Sequence, residues 1–114
     1  MFMPSYIMRL IDPIDNKEYF MEWSTVVDAP ITYGLSLEEF TEYYKGKYGT
    51  EGLRILPERI ARTLQKGISA HPPFDDYDSY FRFNRADDIG DKTLDFIGVL
   101  DRYCRNRPQN YIEA

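Results

Sequence analysis

The sequence predicts an α+β fold: a small antiparallel sheet of two or three strands, opening with an N-terminal hairpin and packed against about three helices. Three observations predict it. The longest run of strand formers, Lys17 to Val27, lies near the N-terminus and holds the only tryptophan, Trp23. The pattern Ser36-Leu37-Glu38-Glu39 is a capping box, which opens a helix by exchanging side-chain and backbone hydrogen bonds between its first and fourth residues. A further stretch, with Leu94, Ile97, Leu100 and Cys104 at helical spacing, lies close to the C-terminus. At 114 residues the chain is expected to form one compact domain, residues 1–114, which buries roughly two-thirds of the surface its unfolded state exposes.

Ser5 to Ile11 is rich in strand formers and stops at Asp12-Pro13-Ile14-Asp15-Asn16, where proline fixes the backbone and Asp and Asn favour turns. It pairs with the Lys17–Val27 run, which is expected to be the central strand. Alternation puts Tyr19, Met21, Trp23, Thr25 and Val27 on one face, expected to be the core face, and Glu18, Phe20, Glu22, Ser24 and Val26 on the other. The next segment, 28–34, carries Pro30 and Gly34 and is expected to be a crossing loop.

The first helix should begin after Ser36 and stop at Gly46 or Gly49, with Leu37, Phe40, Tyr44 and Tyr48 as its buried stripe. Tyr43-Tyr44 could serve as a stacking pair, but the stripe favours a place at the edge of the core. Residues 50–55 are expected to be a connection or strand fragment. A second helix should start at Pro57, turn Ile60 and Leu64 inward, and end at Gly67. Arg59, Arg62 and Lys66 share one face of it, either as a solvated row or as a surface for an acidic group.

Residues 68–91 are the least regular stretch, with a short third strand expected at 80–84. Asp91 should cap the last helix, which is expected to run from Lys92 to about Arg105 before Pro108, leaving a tail that frays.

Nineteen acidic against fourteen basic residues give a net charge of −5, which disfavours direct contact with nucleic-acid phosphates. No apolar run approaches the ~20 residues needed to span a bilayer, so no membrane contact is expected. Residues 1–10, broken by Pro4 and Arg9, lack the apolar core of a signal peptide, and the single cysteine cannot form an internal bridge. These features predict a cytoplasmic location.

Phosphate-loop, dinucleotide, zinc-protease and nucleophile-elbow signatures are missing, and His71 is the only histidine. Cys104 reads as packing in a helical stripe. Asp75, Asp76 and Asp78, and Asp87, Asp88 and Asp91, lack the spacing of a calcium loop. No catalytic, cofactor-binding or metal-ligating residues are therefore assigned, and no enzyme activity is expected.

Seventeen Tyr and Phe residues exceed what a core of this size easily hides, and tyrosine suits interfaces. The reading that follows is a small acidic protein-interaction module, an inhibitor or adaptor of the kind that viruses and mobile elements encode. It would act on a protein partner with a basic surface through Asp75, Asp76, Tyr77, Asp78 and Tyr80. Self-association is left open. Two rival readings are a small enzyme or ligand binder using His71 with nearby aspartates, and an acidic nucleic-acid mimic that fills a basic channel.

Overall fold

Ser5–Ile11 (β1) and Glu18–Ser24 (β2) pair antiparallel, with Ser5 opposite Ser24, Met8 opposite Met21 and Ile11 opposite Glu18. The computed structural model describes residues 5–24, 29–67, 69, 96–108 and 112–113. The hairpin turn is built by its polar residues. The Asp12 Oδ1 accepts from the Ile14 N–H at 2.9 Å and the Asp15 Oδ1 from the Lys17 N–H at 2.9 Å. Asn16 takes the left-handed conformation, φ 60°, that asparagine tolerates better than most residues.

Residues paired directly across an antiparallel ladder share a face. Tyr6, Met8, Leu10, Tyr19, Met21 and Trp23 form one face and pack with Val99, Leu100, Tyr103 and Cys104. Ile7 and Phe20 stand on the other and pack with Leu35, Phe40, Tyr44 and Leu56. The expectation that only the Trp23 face meets the core is therefore corrected: Phe20 and Glu22 are as fully buried as Trp23. The reason is that helices cover both faces of the hairpin, so alternation separates two cores instead of core from solvent. Thr25, Val26 and Val27 lie outside the described residues.

Ala29–Pro30 (β3) pairs antiparallel with β2, giving the order β1-β2-β3 with β2 in the centre, as its composition predicts. Here the expected crossing loop is replaced by an edge strand, a position that suits a residue without an N–H such as Pro30. The chain keeps to β2 afterwards: the Ile31 N–H donates to the Glu22 carbonyl at 2.8 Å, and Phe20 and Leu35 exchange backbone bonds of 2.7 and 2.8 Å. The C-terminal tail joins this layer, because the Tyr33 N–H donates to the Ile112 carbonyl at 2.9 Å and Thr32 bridges to Glu113. It is anchored at those residues where fraying was expected. The outer edge of β1 is capped by bonds from the Arg9 N–H to the Gly67 carbonyl and from the Ser69 N–H to the Ile7 carbonyl, which blunts a strand edge otherwise open to pairing.

Leu37–Lys66 (α1) opens with both bonds of the Ser36 and Glu39 capping box and closes on Gly67 at φ 89°. Gly49, at φ 67° and ψ −153°, breaks the helix within. In a straight helix residues 44 and 59 would stand about 22 Å apart, too far for their side chains to meet. Yet an Arg59 Nη1 donates to the Tyr44 hydroxyl at 2.6 Å, so the axis bends sharply at Gly49 and the second arm folds back. Residues 50–55, expected as a connection, are helical. Pro57 consequently lies inside the second arm on its exposed side instead of in a first turn. Phe40 and Tyr44 are buried, whereas Leu37 and Leu64 are 41% and 48% exposed. Both were expected inside, but the sheet meets only the stripe around Phe40, Tyr44 and Leu56.

Phe96–Leu100 (α2) runs on as a π-helical turn, Asp101–Arg105. Leu100, Tyr103 and Cys104 face the sheet as their spacing predicts, joined by Val99, while Ile97 is 44% exposed. Among the described residues there are two helices, not about three. Asp91, Leu94 and the expected strand at 80–84 lie outside them. Arg105 ties α2 to the hairpin turn, donating to both carboxylate oxygens of buried Asp12 at 2.7 Å and to Asp101 at 2.7 Å.

Two outcomes follow from this packing. The hydrogen bond from Arg105, with that from the Ile14 N–H, lowers the Asp12 carboxyl from its usual 3.8 to about 2. A depressed carboxylate stabilises the fold above its unfolded pKa and loses that contribution as pH falls through the folded one. Stability is therefore expected to fall between 3.8 and about 2, and Asp12→Asn should flatten that limb of an acid denaturation curve; an unchanged limb would remove Asp12 from the account. At Gly34 a Cβ would lie 2.5 Å from the Cys104 Sγ and 3.0 Å from the Tyr19 Cδ1. Gly34→Ala should cost about 1–3 kcal/mol by overpacking in urea denaturation, with part of that cost recovered when combined with Cys104→Ala.

Candidate functional site

The feature with most chemistry is a carboxylate buried where β2 faces α1. Strand alternation aims Glu22 at the helix, together with Ile7 and Phe20, and its side chain is 0% exposed. The Ser5 hydroxyl donates to its Oε2 at 2.5 Å. The Tyr48 hydroxyl also donates to Oε2, and the Tyr43 hydroxyl donates to Oε1. Lys47 completes the cluster, its Nζ 3.7 Å from Oε1 and 3.0 Å from the Tyr43 hydroxyl. The spacing Tyr43, Lys47 and Tyr44, Tyr48 is one helical turn, so a single stretch of α1 supplies the three groups that reach the carboxylate.

A buried charge survives only when paired and hydrogen-bonded, and here three hydroxyls and an ammonium meet that demand. Burial first, and then the Glu22 carboxylate, push the Tyr43 and Tyr48 hydroxyls well above the usual phenol range. Both stay protonated at neutral pH and act as donors, not as bases. Beside Tyr48, burial also raises Tyr44, opposed by Arg59.

Tyr43 and Lys47 also line an open groove of about 650 Å³, whose other walls are Glu38, Glu39, Glu42, Gly46, Ile112 and Glu113. Its size is that of a ligand cleft. Glu39 is engaged: Arg107 donates to its two oxygens at 3.0 and 3.2 Å, and this, with the Ser36 N–H, holds its carboxyl below the usual range. Glu38, Glu42 and Glu113 have no ion-pair partner among the described residues. The groove therefore has an acidic rim above a floor of Tyr43 and Ile112.

Asp75, Asp76, Tyr77, Asp78 and Tyr80 all lie outside the described residues, as do His71, Asp87, Asp88 and Asp91. Cys104 is described: burial pushes its thiol up to about 12, which leaves little thiolate at neutral pH. Of the basic row, Arg59 turns onto the Tyr44 hydroxyl and the Ser5 carbonyl, and Arg62 onto the Ser69 carbonyl and Glu58, so these two serve the fold instead of forming a solvated face. Tyr44 is core, as its spacing predicts, while Tyr43 belongs to the Glu22 cluster. Among the described residues no three His, Cys, Asp or Glu side chains converge as a metal site requires, and no helix is long and apolar enough to cross a membrane.

Glu22 and the groove went unread in the sequence. A signal existed: Glu22 shares its strand face with Phe20, and a face that carries phenylalanine in the centre of a sheet is a buried one. Compared with known protein families, curated proteins and solved structures, the chain matches none.

Glu22→Ala is expected to cost about 3–5 kcal/mol in chemical denaturation, because it strands the hydroxyls of Ser5, Tyr43 and Tyr48 and leaves a cavity in the core. Tyr43→Phe should cost less, about 1–3 kcal/mol. A Glu22→Ala cost under about 1 kcal/mol would place the carboxylate in water.

Proposed function

We propose that the protein is a binding module that takes a basic segment of a protein partner into the groove between the first arm of α1 and the C-terminal residues Ile112 and Glu113. The observation that carries this reading is the rim of Glu38, Glu42 and Glu113, unpaired among the described residues, above the apolar floor of Tyr43 and Ile112. Carboxylates at a cleft's edge attract and orient a cationic chain, and the aromatic floor gives apolar stems something to bury against. The net charge of −5 acts in the same direction at longer range. Catalysis is less well supported, since Tyr43 at the groove is held protonated and the Cys104 thiol is raised.

The test is binding of a fluorescent lysine- and arginine-rich peptide, followed by stopped-flow anisotropy at several salt concentrations. The association rate should fall as salt rises, and fall again in Glu38→Gln/Glu42→Gln, with the off-rate little changed. The Asp75→Asn/Asp76→Asn/Asp78→Asn variant is expected to bind like the wild type. If that variant loses binding while Glu38→Gln/Glu42→Gln retains it, the interface lies on the 74–83 segment and the groove is not the site.

A further inference from the structure

Lys47 occupies an unusual position for a surface lysine. Its Nζ lies 5.5 Å from the ring centroids of both Tyr43 and Tyr48, donates to the Tyr43 hydroxyl oxygen at 3.0 Å, and stands 3.7 Å from the Glu22 Oε1. Two π faces, a hydroxyl oxygen and a carboxylate are the components of a site that recognises an ammonium or guanidinium group. The cage opens on the groove, because Tyr43 and Lys47 line both, and the Lys47 side chain is 34% exposed at its mouth.

The contact between Lys47 and Glu22 is also the most replaceable one in the cluster. Ser5, Tyr43 and Tyr48 already donate to the carboxylate, so Lys47 could swing into solvent on its flexible stem without leaving Glu22 bare. A second cation entering at that moment would keep the charge of the cluster constant.

Resting on the groove reading above, we propose that this cage is the subsite for one Lys or Arg side chain of the partner's basic segment. Lys47 fills it in the free protein and is displaced on binding. Lys47 is then an internal competitor that lowers affinity for weakly basic chains.

Two measurements on Lys47→Ala test this, with Lys45→Ala as the control, since Lys45 is an exposed lysine of the same helix that does not line the groove. In the first, the lysine- and arginine-rich peptide should bind Lys47→Ala about tenfold more tightly than the wild type, the size of one cation-on-aromatic contact with a carboxylate behind it. Lys45→Ala, which changes the net charge equally, should bind only about two- to threefold more tightly. In the second, n-butylammonium chloride should shift the ring proton signals of Tyr43 and Tyr48 saturably in Lys47→Ala, and not in Lys47→Ala/Glu22→Gln. Should Lys47→Ala lose its native circular dichroism, Lys47→Met, which keeps an apolar stem on the rings, carries the same comparisons. Equal tightening in Lys47→Ala and Lys45→Ala, with no saturable ring shifts, overturns the cage while leaving peptide binding in the groove intact. Saturable butylammonium shifts without peptide binding in any form support the cage and overturn the reading of the groove as a peptide site. Neither peptide binding nor ring shifts overturns both.

Discussion

A carboxylate with no exposed surface sits between the sheet and the helix, and much of the structure can be read as the means of keeping it satisfied. Glu22 is on the central strand, so burying it requires donors from a layer above. They come from Ser5 across the ladder and from Tyr43, Lys47 and Tyr48 on α1. Those helical donors must arrive together, which fixes the rotation of α1 on the sheet more tightly than apolar packing by Phe40 and Tyr44 would. A greasy face tolerates sliding, whereas a desolvated charge does not. Burying a carboxylate is a poor way to gain stability but an effective way to select one arrangement among several of similar apolar area.

The remaining polar ties extend this arrangement outward. The bend at Gly49 returns the second arm of α1 to β1, where Arg59 holds the Ser5 carbonyl and the Tyr44 hydroxyl. Residues 67–69 then close the edge of β1, Arg105 fixes α2 to the hairpin turn, and Arg107 joins the end of α2 to the capping glutamate of α1. Arginine serves at three of these joints, through Arg59, Arg105 and Arg107, because its planar fork can satisfy two acceptors at once.

Much of this was readable in the residues, and what was not has identifiable causes. The hairpin, the central place of β2, the capping box, the left-handed stop at Gly67 and the buried face of Leu100, Tyr103 and Cys104 all follow from local chemistry: turn formers, alternation, a cap and helical spacing. The helical character of 50–55 was hidden because Pro57 resembles a helix start and Gly49 a helix end, when only Gly49 interrupts. Leu37, Leu64 and Ile97 fit their stripes yet stay exposed, because a stripe reports which side is apolar and not how wide the neighbour is. β3, two residues long, is too short to show alternation, and docking of Ile112 and Glu113 depends on contacts distant in sequence, where periodicity carries no information.

The groove was hidden for the same reason. Glu38 and Glu39 read as the acidic start of a helix, and nothing local says that Glu113 and Ile112 return beside them. A charged residue in the middle of a strand is easily assigned to solvent by alternation alone, and Glu22 shows where that habit fails: when both faces of a small sheet are covered, the residue out of place by polarity is the one around which the contacts are arranged. The groove and the cluster share Tyr43 and Lys47, so the chemistry that holds the fold also lies at the surface proposed to bind.

The most direct measurement is solution NMR of the hydroxyl protons of Tyr43 and Tyr48. If both donate to a buried Glu22 carboxylate, the two protons should be protected from exchange with water, appear far downfield, and show cross-relaxation to the Glu22 γ-methylene, and both signals should move strongly upfield in Glu22→Gln. Hydroxyl protons that exchange freely with water and show no contact to Glu22 would contradict the account, because the helix would then rest on the sheet through apolar packing alone.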